Sequence, residues 1–98
     1  LFKVTPIYPR RAQERGIMGF AIVTFTITET GTVENAKPLE GACGDPTNPD
    51  TVFRPCSIFN SAASRASLKL KYKPKIVDGK AVRVDDVPHK FTFILEED

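Results

Sequence analysis

From Ile17 to Thr28 the chain alternates, placing Ala21, Val23, Phe25 and Ile27 on one face and Phe20, Ile22, Thr24, Thr26 and Thr28 on the other. A period of two belongs to an extended backbone, whose successive side chains point to opposite sides. The β-branched and aromatic content suits a pleated surface. This strand constrains the rest of the chain, which must supply it with neighbours and cover its apolar face.

The segment after it provides one neighbour. Glu29-Thr30-Gly31-Thr32 offers a glycine for a left-handed turn position, and Val33 opens a shorter extended run to Leu39, so the two segments read as a hairpin. Upstream, Pro9 and Gly16 bracket residues 9–15 with the proline-first, glycine-last asymmetry of a short helix. Residues 41–56 hold two Gly, three Pro, two Asp, one Asn and both cysteines, which resists helix and strand alike.

Ser57 or Asn60 is a candidate cap for a second helix, whose apolar stripe is Phe59, Ala62, Ala63, Ala66 and Leu70 and which ends before Pro74. Asp78-Gly79 marks a turn, and Ala81 to Leu95 reads as a long last strand. Its apolar parity changes near Asp85-Asp86, which points to a bulge. Pro88 cannot donate to a ladder, so the last strand belongs at a sheet edge. The expected fold is α+β, a two-layer single domain with a three-stranded antiparallel sheet and two helices packed on one face.

Composition narrows the function classes. With 98 residues, 41% hydrophobic and 27% charged, the chain has the balance of one globular domain, and it buries only somewhat more than ~60% of its unfolded surface. The net charge of +2 is scattered, and the densest basic stretch, Lys69, Lys71, Lys73 and Lys75, reads as a solvated face, so no nucleic-acid partner is expected. No apolar run approaches the roughly 18 residues of a membrane span. Starting at Leu1, in structured-looking sequence, the chain reads as a domain of a longer protein, and any membrane anchor would lie upstream.

Several ordered elements resemble a known family. Tyr8-Pro9-Arg10-Arg11-Ala12, Gly16-Ile17-Met18-Gly19 and the run from Val23 to Val33 are similar to the first half of the TonB C-terminal domain family. Phe59 with Ala62-Ala63, Tyr72-Lys73-Pro74, Asp78-Gly79-Lys80-Ala81-Val82 and Phe91-Thr92-Phe93-Ile94-Leu95 resemble its second half. Leu70 stands where members usually carry Trp, and the loop before the second helix is longer than usual. The resemblance implies a periplasmic module of an inner-membrane-anchored protein. Such a module binds the TonB box of outer-membrane transporters by strand addition and transmits force from ExbB and ExbD for uptake of nutrients such as siderophores or cobalamin. A TonB-like adaptor in another envelope system, TolA-like or sensor-linked, is the alternative.

The expected partner-binding residues follow from that resemblance and from edge chemistry. Lys90, Phe91, Thr92, Phe93, Ile94 and Leu95 would offer unpaired backbone groups to an incoming strand. Tyr8, Pro9 and Arg10 would lie beside it, Arg10 meeting an acidic group. The same exposed edge would let two copies pair as a homodimer. Phe91, Phe93 and Leu95 would also serve the core, and Tyr8-Pro9 would also set how the chain enters the first helix. Cys43 and Cys56 enclose 12 residues of loop, and in an oxidising compartment a disulfide there would contribute on the order of 3 kcal/mol. With His89 as the only histidine and no CxxC pair, metal ligation lacks donors, and neither a cofactor nor an enzymatic role is expected. A cysteine-based hydrolase or redox role would need free thiols.

Overall fold

Residues 4–96 are described by the structure, a computed structural model. In chain order the elements are α1 (Arg10–Glu14), β1 (Gly19–Ile27), β2 (Val33–Cys43), β3 (Arg54–Pro55), α2 (Asn60–Ser67), β4 (Lys75–Val77), β5 (Lys80–Val82) and β6 (Val84–Phe93). The main sheet runs β3-β2-β1-β6, all antiparallel, and β4 and β5 form a separate hairpin.

The alternating segment is the inner strand. β1 pairs with β2 from Gly19↔Cys43 to Ile27↔Val33 and with β6 from Gly19↔Phe93 to Ile27↔Val84. Its inward parity, Ala21, Val23 and Phe25, is buried and meets Phe59, Ala63, Ala66 and Leu70 from α2 and the turn after it, with Phe91 and Phe93 from β6 and Ala12 from α1. The apolar stripe expected of the second helix therefore faces the sheet, with Ala62 at its margin. α2 is mostly alanine and serine, with Ala63, Ala66 and Ser67 buried. A Cβ at Gly19 would fall 2.1 Å from the Ala42 carbonyl oxygen of β2 and 2.8 Å from the Phe59 ring, so this position of β1 requires glycine.

The turn between β1 and β2 holds Gly31 at φ 84°, the left-handed region the hairpin needs. Tyr72 donates its backbone N–H to the Gly31 carbonyl at 2.9 Å, which ties the segment after α2 to that turn.

Several expectations are corrected in detail. The main sheet has four strands rather than three, because the two-residue β3 from the cysteine loop adds to the end of β2 at Ala42↔Pro55 and Cys43↔Arg54. β2 runs on to Cys43 instead of stopping at Leu39. Neither Ser57 nor Asn60 caps α2 with its side chain: Phe59 holds the N-cap position, and the Ser57 carbonyl accepts the Asn60 N–H at 3.1 Å. The long last strand is interrupted at Arg83, its first part turning away to pair with β4. Arg83 binds Glu34 of β2 at 2.8 Å at this break, and Glu34 holds the guanidinium in its charged form, raising its pKa. The irregularity foreseen near Asp85-Asp86 is present, with Asp86 at φ 56° and a register shift between Phe25 and Ile27. Ile94 and Leu95 lie beyond the end of β6, where the ladder to β1 has stopped at Gly19↔Phe93.

Candidate functional site

Pro88 decides how the edge of the sheet is presented. β6 is the outermost strand, and among the described residues nothing pairs with its outer side. A proline lacks the N–H that a ladder uses, so within a paired strand it occupies the parity whose amide points away from the neighbour. Backbone direction repeats every two residues, which puts Lys90 and Thr92 on the parity of Pro88, with their N–H and C=O groups turned outward. The other parity, His89, Phe91 and Phe93, faces β1 through Val23, Ala21 and Gly19. Side chains divide in the same rhythm: Phe91 and Phe93 are buried and Lys90 and Thr92 exposed. The core role and the open backbone edge therefore coexist in one strand.

The Lys90 side chain is engaged locally. Its Nζ lies 4.3 Å from the centre of the Phe20 ring, a cation–π contact on the sheet face opposite the helices. Phe53 from the cysteine loop packs edge-on against the same ring at 5.1 Å.

Tyr8 joins the N-terminal segment to this strand. Its ring meets Phe93 edge-on at 5.7 Å and Phe59 at 5.8 Å, and its hydroxyl donates to the Ile17 carbonyl. Burial raises the Tyr8 phenol pKa. Pro9 then sits at the N-cap of α1, and Arg10 is exposed. Tyr8 and Phe93, expected as members of one site, are thus in contact; Ile94 and Leu95 continue past the strand, with Ile94 45% exposed.

A groove of about 530 Å³ runs beside the β6 edge, between residues 4–6, Leu70–Tyr72 and His89–Thr92. Leu70 belongs to the apolar stripe of the second helix and Tyr72 to the Tyr72-Lys73-Pro74 element, whereas the sequence of Val4 to Pro6 has no pattern that points to a site. Only the tertiary arrangement brings these segments alongside the strand.

Cys43 and Cys56 form a disulfide with Cα atoms 5.7 Å apart. The bridge closes the loop where β3 meets β2, and the Cys56 N–H reaches the Gly41 carbonyl at 3.1 Å. Inside the loop, Asp45 accepts hydrogen bonds from the Thr47 hydroxyl at 2.6 Å and the Thr47 N–H at 2.9 Å, which lower its pKa. Both thiols are consumed, which removes the nucleophile that a cysteine-based chemistry would need. Among the described residues no helix is long and apolar enough to cross a membrane.

Comparison with known proteins agrees with this architecture. Residues 4–43 match the family model described as the C-terminal part of the Gram-negative bacterial TonB protein. Protein TonB of Pseudomonas aeruginosa is 34% identical over 77 residues, covering 79% of this chain and 19% of that protein, so the chain spans about a fifth of its relative. The solution structure of the Pseudomonas aeruginosa TonB C-terminal domain superposes with a TM-score of 0.69 at 31% identity, covering 100% of this chain and 86% of that one. The TonB2 protein of Vibrio anguillarum gives a TM-score of 0.62 at 33% identity, with coverage of 99% and 80%.

Proposed function

This chain belongs to the TonB C-terminal domain family, a family of non-enzymatic periplasmic interaction domains, and on that premise we propose that it captures the TonB box of outer-membrane TonB-dependent transporters by strand addition along β6. The observation that carries this reading is the open outer edge of β6, with Lys90 and Thr92 on the outward-facing parity of Pro88. An incoming extended segment would satisfy those backbone groups as a fifth strand of the main sheet. Tyr8, Pro9 and Arg10 would flank it, and Ile94 and Leu95 would lengthen the contact beyond the present ladder.

In this reading the domain transmits force, driven by the proton gradient, that supports uptake of siderophores, cobalamin or similar nutrients. ExbB and ExbD engage a preceding part of the protein, which is anchored in the inner membrane. β6 is held to β1 along its length and to the core through Phe91 and Phe93, so tension applied to an added strand would be passed to the backbone ladder and the core together.

The test is titration of the isotope-labelled domain with a synthetic peptide from the N-terminal region of a TonB-dependent transporter. Amide shifts are expected along Lys90 to Phe93. Thr92→Pro removes one outward donor while leaving the β1 ladder intact, so it should weaken binding several-fold to about tenfold, the range of one ladder hydrogen bond. Thr92→Ala keeps the donor and should bind like the parent. A Thr92→Pro domain with unchanged circular dichroism and unchanged affinity would exclude the edge, as would shifts confined to Cys43–Cys56. Pairing of two copies through the same edge would instead appear as a concentration-dependent dimer that the peptide dissociates.

A further inference from the structure

A second groove, of about 880 Å³, lies on the helical side of the domain, between residues 5–10 and the outer face of α2. Its apolar side chains include Ile7, Ile58 and Leu68, with Ile7 75% and Leu68 52% exposed. Arg10 stands on one wall and Arg65 and Lys69 on the other, and none of the lining residues is acidic. The single ion pair among the described residues, Arg83 with Glu34, lies elsewhere.

The spacing makes this a built face. Arg65, Leu68 and Lys69 stand at i, i+3 and i+4, so they share one side of the helix and the turn that follows it. Cations near a helix C-terminus complement the helix dipole, which accounts for Arg65 and Lys69 alone. It does not account for Arg10 on the opposite wall, nor for two large apolar side chains left in water between them.

We propose that this groove is a docking site for an acidic segment of a partner protein, one that inserts an apolar side chain between Ile7 and Leu68 and sets carboxylates against Arg10, Arg65 and Lys69. Charge complementarity selects the occupant: a cationic rim with no acidic lining attracts carboxylates and repels basic segments. An arginine can take a carboxylate through two parallel hydrogen bonds, which adds orientation to attraction. The volume falls within the roughly 300–1,000 Å³ of ligand clefts. This groove lies on the helical side, away from the β6 edge, and shares the wall at Thr5-Pro6 with the groove beside β6. Tyr8, Pro9 and Arg10, which would flank the added strand, also line it, whereas Arg65, Leu68 and Lys69 belong to it alone.

The experiment titrates the labelled 98-residue chain with a capped hexapeptide carrying a central Leu-Phe flanked by acidic residues, and with its counterpart carrying lysines in their place. The acidic peptide should give saturable shifts at Ser61, Arg65, Leu68 and Lys69, weaker at higher salt, and the lysine peptide none. Arg65→Glu with Lys69→Glu should lower the affinity at least tenfold, and Leu68→Glu should do the same by removing an apolar contact and setting a like charge against the incoming carboxylates. All three positions are exposed, so the domain should stay folded, with thermal unfolding lowered only by the modest helix-dipole cost of reversing Arg65 and Lys69. Transporter-peptide shifts on β6 should persist in the charge-reversed domain, which separates this site from strand addition. Absence of saturable shifts up to millimolar peptide overturns the proposal, as does acidic-peptide affinity unchanged by charge reversal. Binding to phosphatidylglycerol vesicles without binding to the acidic peptide overturns it in favour of a lipid surface, and a dimer abolished by charge reversal does so in favour of a second copy.

Discussion

Phe59 and Phe93 stack nearly face to face, their ring centroids 4.4 Å apart and their planes inclined by 18°. One ring comes from the residue that starts α2 and the other from the last residue of β6, so this pair locks the helix to the end of the outer strand. Tyr8 closes the cluster edge-on to both. The outermost strand of the main sheet is thereby held from behind by the core.

Phe93→Ala should therefore destabilise the domain by about 3–5 kcal/mol, the usual cost of emptying a buried aromatic site. Phe93 is 2% exposed. Chemical denaturation read by circular dichroism checks this, and a loss under about 1 kcal/mol would mean that the stack contributes little.

Ala63 is fully buried at the centre of the α2 face. Ala63→Asp places a carboxylate there without a partner and should cost several kcal/mol, enough to unfold a small domain at ambient temperature. Ser61→Asp, on the exposed side of the same helix, should leave the unfolding midpoint nearly unchanged.

Reduction of the Cys43–Cys56 bridge should lower stability by roughly 3 kcal/mol, the chain-entropy value for a loop of this length. Intact mass of the unreduced protein after alkylation should show no modified thiol. Because β3 is only two residues long and joins β2 beside the bridge, reduction should first release amide protection at Arg54 and Cys56. Uniform loss of protection across β1 would contradict that order.

The Tyr8 hydroxyl donates to the Ile17 carbonyl, and burial raises its pKa above the ordinary value near 10. A raised folded-state pKa means that its contribution is complete below the unfolded pKa and fades as pH climbs through and beyond that value. Tyr72 is shifted in the same direction by burial and adds to the trend. Tyr8→Phe should cost about 1 kcal/mol at neutral pH by leaving the carbonyl without its donor. It should also make unfolding above pH 10 less steep without abolishing the alkaline loss that Tyr72 supplies. Denaturation midpoints from pH 7 to 11 measure both effects.

Much of this protein is legible in its sequence alone. The two-residue alternation through β1, the glycine turn at Gly31 and the apolar stripe of α2 are local patterns, and local patterns are set by backbone geometry that every short segment carries with it. Pro88 likewise announced an edge strand, because a missing N–H is a property of the residue. Other features came only from distant segments meeting. β3 exists because the cysteine loop returns to Ala42 and Cys43, and the long last segment divides because its first residues find β4 instead of β1. The N-cap of α2 is Phe59, which has no side-chain acceptor to offer the helix and whose ring enters the stack with Phe93 instead. The two grooves depend on residues 4–10 lying against α2 and β6, a placement governed by packing between parts of the chain that no local pattern relates.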